Sequence, residues 1–285
     1  TAGLFSRIEN CKGPVLWMSI RTRNRTALNQ KEALVEIGAR FLSAHPSGFI
    51  ILDGHSFAND LETNPGYSPA VQREIVVSDL EVAHAVAKGL SVLVGSHDRV
   101  ELAVGLTISE TILLAQHASF YFCHHGTVQH KIGWFTSCAG VVHCNRRTTQ
   151  ALPAHYVSAQ SEVATLPVYA PLELIDAPDH IQSEEALQQA LKTENYRFTS
   201  ISAIGDFVER EMEKCLNLQI IGRPMKNRTQ DSAGTRIKIP QPKSEGGLRI
   251  RLARLYRKLS DSKVSPKEIL ESGYFDTDFY RAAHP

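Results

Sequence analysis

The stretch FCHHGTVQHKIGWF, Phe122 to Phe135, passes from one structural period to another within a single segment. With its upstream neighbours it completes an apolar run, Ser119–Cys123 (SFYFC), that reads as a buried strand. Two histidines close that run. Gly126-Thr127 then open a short helix expected over Thr127–Ser137. An apolar strand that ends in polar residues and turns through glycine into a helix is the repeating unit of an α/β fold.

The same unit recurs on both sides. Upstream, Pro14–Arg21 (PVLWMSIR), Gly48–Asp53 (GFIILD) and Leu90–Gly95 (LSVLVG) read as strands. Ala27–Phe41, Val71–Gly89 and Ser109–His117 carry apolar residues at helical spacing, with Ser109 as the expected N-cap of the last. Downstream, Gly140–Cys144 (GVVHC) is a fifth strand, Pro167–Ile175 offers one more, and Ser183–Lys192 and Ser202–Leu216 read as helices. Continuous apolar strands between helices imply a parallel sheet covered on both faces. Right-handed crossovers make it a doubly wound Rossmann-like sheet.

Length and composition agree. The chain has 285 residues, 42% hydrophobic and 21% charged, ordinary values for a globular protein. They exclude a mainly disordered chain, a collagen-like repeat and a disulfide miniprotein. Five cysteines, odd in number and without a C-x-x-C pair, point to a reducing, cytoplasmic setting. The chain opens Thr1-Ala2-Gly3, as a processed product or a fragment would, and no secretory pattern follows. The net charge of +1 conceals an asymmetry. Between Arg223 and Lys258 lie 11 basic and 2 acidic residues, against 20 and 28 elsewhere. The expected division is a Rossmann-like domain over 1–220 and, over 221–285, a basic linker followed by a helical extension. Within that extension Leu248, Leu252, Leu255 and Leu259 form a stripe flanked by arginines. The stripe can dock on the protein itself or lie on an anionic membrane surface. No aromatic interleaving accompanies the basic residues, so a nucleic-acid partner is not expected.

Ligands of open parallel sheets bind where the strands end. The polar residues there are Arg21 and Arg23, then Asp53-Gly54-His55-Ser56, Ser96-His97-Asp98, and His124-His125-Gly126-Thr127. This cationic, imidazole-rich set suits a phosphate-bearing ligand. Gly126 lets backbone approach an anion, and the amides opening the helix face it together with the helix dipole. Thr127 can add its hydroxyl. Gln129 and Lys131 occupy the first turns, with Lys131 long enough to reach the anion. The same turn serves equally well as a capped strand-to-helix junction, and Arg25 beside Arg21 and Arg23 equally marks a loop that is simply basic. His55, His97 and His124 have structural readings too. The spacing H-H-x4-H is not that of a zinc site, so no metal is expected. No G-x-G-x-x-G follows a strand, and neither a P-loop nor a G-x-S-x-G elbow is present, so no dinucleotide cofactor is expected.

The succession S-E-x-I-x-L-x-x-x-A (Ser109 to Ala118), an apolar strand and then H-G-T at a helix start resembles the donor-binding half of GT-B glycosyltransferases. The closing SGYFDTDFYRAAHP, 272–285, is similar to an element of large bacterial enzymes that build surface polysaccharides. The resemblance implies a GT-B-like sheet and a nucleotide-sugar donor whose diphosphate meets Gly126 and Thr127. It further implies a ribose or base contact at Glu110, a diphosphate clamp at Arg21, and a polysaccharide or glycolipid acceptor. It implies no metal if cations neutralise the leaving group, and His55 or His125 as the catalytic base. Only one Rossmann-like unit is visible, where a complete GT-B enzyme has two. The remaining alternatives are another Rossmann-like enzyme on a phosphorylated sugar or nucleotide, and a non-catalytic binding module of a polysaccharide assembly enzyme.

Overall fold

The structure, a computed structural model, describes residues 2–59, 68–95, 98–151, 163–176 and 193–221. Six parallel strands form the sheet: β1 (Val15–Ser19), β2 (Phe49–Asp53), β3 (Val100–Leu102), β4 (Phe120–His124), β5 (Gly140–His143) and β6 (Val168–Tyr169). Their order is β3-β2-β1-β4-β5-β6. Every pairing is parallel, with Leu16 beside both Ile50 and Phe120. The chain winds outward from β1 in one direction, then returns and winds in the other. The fold is thus a doubly wound, Rossmann-like α/β sheet, with its winding reversal between β1 and β4.

Alternate residues of each strand feed two cores. Leu16, Met18, Ile50, Leu52, Phe120, Phe122 and Val141 face one side. They pack against α2 (Gln30–Ala44), α3 (Pro69–Val94) and α7 (Ile201–Ile221) through residues such as Leu34, Val86 and Val208. Trp17, Ile51, Tyr121, Cys123 and Val142 face the other, against α1 (Ala2–Glu9), α4 (Ile108–Ala115) and α5 (Thr127–Gly133) through Ile8, Leu114 and Ile132. Burial on both faces is why the strands read as unbroken apolar runs. A short helix, α6 (Arg146–Ala151), follows β5. A separate antiparallel pair, β7 (Ile175–Asp176) with β8 (Arg197–Phe198), precedes α7. The compact unit that holds the sheet ends at Leu216, inside α7.

Several expectations shift. Leu90–Gly95 is not a strand but the end of α3, and the third strand is Val100–Leu102. Ala83, Val86 and Leu90 are buried at helical spacing, while Val92 and Leu93 are exposed, so the helix period runs through the apolar run. Gly95, at φ 65°, ends it in a left-handed C-cap. Ser109 is not the cap of α4. Thr107 is, in a reciprocal capping box with Glu110, while Ser109 is buried. Pro167–Ile175 resolves into β6, a 3₁₀ turn at Leu172–Leu174 and the start of β7. The helix after β4 stops at Gly133, short of Ser137. The expected helix at Ser183–Lys192, the expected Arg223–Gly247 linker and the 248–259 stripe lie outside the described residues. Among the described residues no helix is long and apolar enough to cross a membrane.

Candidate functional site

Where the winding reverses, β1 and β4 end side by side. Ser19 Oγ accepts the backbone N–H of His124 at 2.7 Å, which keys the two strand ends together. Beyond β1 the chain forms a loop, 21–29, held from four directions. The Gln30 side chain bonds both backbone groups of Arg21, at 3.1 and 2.7 Å. Thr22 donates to Asp79 Oδ1 on α3 at 2.6 Å. Tyr196, just before β8, pairs through its backbone with Thr26 and Leu28, and Asn195 Oδ1 accepts the Thr26 N–H at 2.9 Å. Asn29 exchanges two hydrogen bonds with the backbone of Phe198.

Within this loop Asn24 and Arg25 both adopt positive φ, 37° and 60°. Such conformations cost energy in non-glycine residues and persist only where the surroundings enforce them. Here they aim the Arg25 carbonyl at the His124 ring. Both the Arg25 and Arg21 side chains come to Gly126. A carbon added to Gly126 would stand 3.5 Å from Arg25 Nη2 and 4.0 Å from Arg21 Nη1. Gly126 itself sits at φ 112°, ψ −155°, a region open in practice to glycine alone. Thr127 is the first residue of α5, and its amide and that of Val128 open the helix with no preceding turn to receive them.

Among the described residues neither Arg21 nor Arg25 has a carboxylate within ion-pair distance. Arg25 Nε is buried without a hydrogen-bond partner, and Arg21 donates through Nε only to the Asn24 carbonyl, at 2.7 Å. Burial, together with the like charges of Arg25 and Arg23, draws the Arg21 guanidinium down to about 10, and burial lowers Arg25 as well. Two partly desolvated cations therefore converge on a glycine turn with no carboxylate in ion-pair contact, Asp79 favouring Arg21 only from a distance, an arrangement that an anion would relieve.

The other sequence candidates fall in different places. Lys131 does not face the turn. Its ammonium is buried and donates to Asp53 Oδ1 at 2.8 Å, the Gly54 carbonyl at 2.7 Å and Ser56 Oγ at 2.9 Å, which uses all three hydrogens. Burial raises Asp53 to about 6 even with Lys131 beside it, and raises Asp79 too. Gln129 is fully buried, its amide packed against Gly133 and close to the Tyr121 ring. Glu110 is spent on the capping box, its Oε2 accepting from both the N–H and the hydroxyl of Thr107, and its helix follows β3, two strands from β1. Arg23 is exposed at the loop tip. His97 lies outside the described residues.

His55 contacts the Gln72 side chain through Nε2 and gives its backbone N–H to Asp79 Oδ2 at 2.7 Å. His125 Nδ1 lies 2.9 Å from the Tyr169 hydroxyl. Burial lowers both imidazoles to about 4, and for His125 the charges of Arg25 and Arg21 add to the effect. Both rings are neutral near pH 7. His124 is buried with both ring nitrogens against backbone carbonyls. Among the described residues no cluster of His, Cys, Asp and Glu has metal-binding geometry.

Sequence reasoning set Arg25 aside as loop charge, although the alternation Arg21, Arg23, Arg25 was in plain view. It had no access to Asp79 or Tyr196. Their roles come from packing across 57 residues for Asp79 to Thr22, and from strand pairing between Tyr196 and Ala27.

No protein-family model matches the sequence, and no curated protein matches it. Among solved structures, S. aureus MnaA with UDP is similar at a TM-score of 0.32 and 18% identity, over 50% of this chain and 31% of that one. A Listeria monocytogenes protein assigned as a UDP-N-acetylglucosamine 2-epimerase is similar at 0.30 and 14%, over 47% and 29%. The chain thus spans less than a third of the length of either.

Proposed function

We propose that the crevice between β1 and β4 receives the diphosphate of a nucleotide sugar, and that the chain serves a glycosyltransferase that passes the sugar to a polysaccharide or glycolipid acceptor. The observation that carries this reading is the convergence of the Arg21 and Arg25 guanidiniums on Gly126 with no carboxylate to neutralise them. Two planar forks suit a doubly charged bridge better than a single point charge would. The Gly126–Val128 backbone and the Thr127 hydroxyl supply further donors to the same spot. When the glycosidic bond breaks, negative charge grows on the departing nucleoside diphosphate, and these groups stabilise it. Lys131 contributes from beneath by fixing the strand ends rather than by touching the anion.

His125 and His55 are neutral and can accept a proton from an acceptor hydroxyl, but an imidazole held near 4 is a weak base. That observation favours a second reading, a module that binds the nucleotide sugar while chemistry occurs elsewhere.

Thermal unfolding of the full chain with UDP, GDP, dTDP and ADP, and with their sugar conjugates, tests the first step. The cradle predicts a rise in Tm with at least one of them, lost in Arg25→Met. No response to any sinks the reading. Nucleoside diphosphate release that requires acceptor supports transfer, and release without acceptor supports a hydrolase. Sugar isomerisation without release supports an epimerase. Binding with no turnover under any condition supports the module. Contact of residues 248–259 with anionic membrane at the cytoplasmic face belongs to the same proposal, and vesicle sedimentation of the full chain tests it.

A further inference from the structure

We propose that occupation of the Arg21–Arg25 cradle by a diphosphate is coupled to uptake of a proton by His124, so that the cradle holds its ligand more tightly as pH falls. The inference rests on the reading of that site as a diphosphate cradle.

His124 ends β4 and is 1% exposed. Its Nδ1 lies 2.5 Å from the carbonyl oxygen of His125, and its Nε2 lies 2.5 Å from the carbonyl oxygen of Arg25. A neutral imidazole has one N–H and can donate to only one of these oxygens. At the other, a ring lone pair faces a carbonyl lone pair. The imidazolium has two N–H groups and satisfies both.

The surroundings decide when that second proton is accepted. Arg21 and Arg25 face the ring from the loop after β1, and His143 meets it edge-on from β5 with centroids 5.6 Å apart. The Tyr196 ring, just before β8, lies 6.1 Å away, and the neighbour in sequence is neutral His125. No carboxylate is among these groups. Burial first, then Arg21, His143 and Arg25, hold His124 well below its ordinary value. His143 is itself kept neutral by burial, at about 3, and its Nδ1 is engaged with the Tyr196 hydroxyl at 2.5 Å. The opposition that a ligand can remove is therefore the charge of the two arginines.

A diphosphate that neutralises Arg21 and Arg25 leaves the two carbonyls in place and lifts the repulsion. The proton then gains two acceptors at a smaller electrostatic cost. By linkage, the proton favours the ligand by the factor by which the ligand favours the proton. The doubly bonded ring also fastens the Arg25 carbonyl to the end of β4, so the loop that carries the cations is held more firmly when loaded.

The test is calorimetric titration of the full chain with UDP-glucose, GDP-mannose, dTDP-glucose and ADP-glucose between pH 6 and 8. Their diphosphate diesters do not titrate in that range. Binding heats measured in buffers of different ionisation heat count the protons exchanged. Fractional proton uptake that grows toward pH 6 is expected, with affinity rising by less than about tenfold per unit fall in pH, because burial still opposes the charged ring after the arginines are neutralised. His124→Gln, which has no proton to gain, is expected to lose most of the exchange; His125, opposed by the same two arginines, accounts for any remainder, which the double variant His124→Gln/His125→Gln removes. Should His124→Gln fail to fold, nitrogen-15 NMR of histidine-labelled wild type answers the same question. Both ring nitrogens of one histidine are expected to become protonated in the complex, and the signal is expected to persist in His125→Gln, which assigns it to His124. A probe that binds with no proton uptake and no such ring overturns the coupling and leaves the cradle standing. Failure of all four probes to bind overturns the cradle, and the coupling with it.

Discussion

Lys131 Nζ lies 2.8 Å from Asp53 Oδ1, both side chains are buried, and the two residues come from opposite sides of the winding reversal. Asp53 ends β2 and Lys131 belongs to the helix after β4, so the ion pair passes β1 and ties the two halves of the sheet together. Removing one partner of a buried pair strands the other charge, at a cost of about 3–5 kcal/mol. Lys131→Met is expected to lose stability on that scale in urea unfolding at pH 7.5.

The same pair gives a pH signature. Asp53 sits at about 6 in the folded chain against 3.8 ordinarily, so between those values the folded state binds more protons than the unfolded one. Its contribution to stability is therefore largest below the lower value and declines as pH rises through about 6. Asp79, also raised by burial, acts in the same direction. Asp53→Asn is expected to flatten that decline, as read from unfolding midpoints collected from pH 4 to 7.

Arg25 sets binding against stability. Its guanidinium is partly desolvated and unpaired at Nε. Arg25→Met is expected to leave the Tm of the empty protein unchanged or higher. Loss of a charge-assisted contact of about 1.5–3 kcal/mol weakens nucleotide binding by roughly ten- to a hundredfold. A lowered Tm in the empty protein would contradict this account of the loop.

Gly126→Ala separates backbone strain from crowding. The nearest atom to an added carbon is 3.5 Å away, an ordinary contact, so space is not the obstacle. The conformation, φ 112° and ψ −155°, is the obstacle, and about 1–3 kcal/mol of stability is expected to be lost. A neutral result in thermal unfolding would mean that the turn relaxes freely.

Glu110 distinguishes cap from ligand contact. With both hydrogen bonds of its Oε2 given to Thr107, Glu110→Ala is expected to cost about 1 kcal/mol, as cap losses do. Nucleotide affinity by calorimetry is expected to hold. A large loss of affinity without loss of stability would restore the ribose role that the family resemblance implies.

The sheet was legible in the sequence because both of its faces are covered. Residues such as Leu16-Trp17-Met18 and Ile50-Ile51-Leu52 are all buried, so these strands stand out as short unbroken apolar runs. The run Leu90–Gly95 misled for the converse reason. Its apolar residues continue a helix whose buried stripe is narrow, and composition alone cannot separate the two periods. The turn at Gly126 was visible as a glycine between histidines and a helix start. The fate of Lys131 was not, because a lysine reads as a free cation until the carboxylate across the sheet is placed beside it. Arg25 was hidden by a backbone conformation that sequence does not encode for arginine.

The cationic loop owes its shape to a segment made much later. Thr26 is bonded to Asn195 and Asn29 to Phe198, each across 169 residues of chain. At a synthesis rate of about 5–20 residues per second, the arginines leave the ribosome roughly 8–34 seconds before the strap that shapes them. Throughout that interval a nascent chain carries Arg21, Arg23 and Arg25 on a loop with nothing to shape it, open to any polyanion nearby. Release short of Glu194 would make that condition permanent and would also remove α7, which covers one face of the sheet.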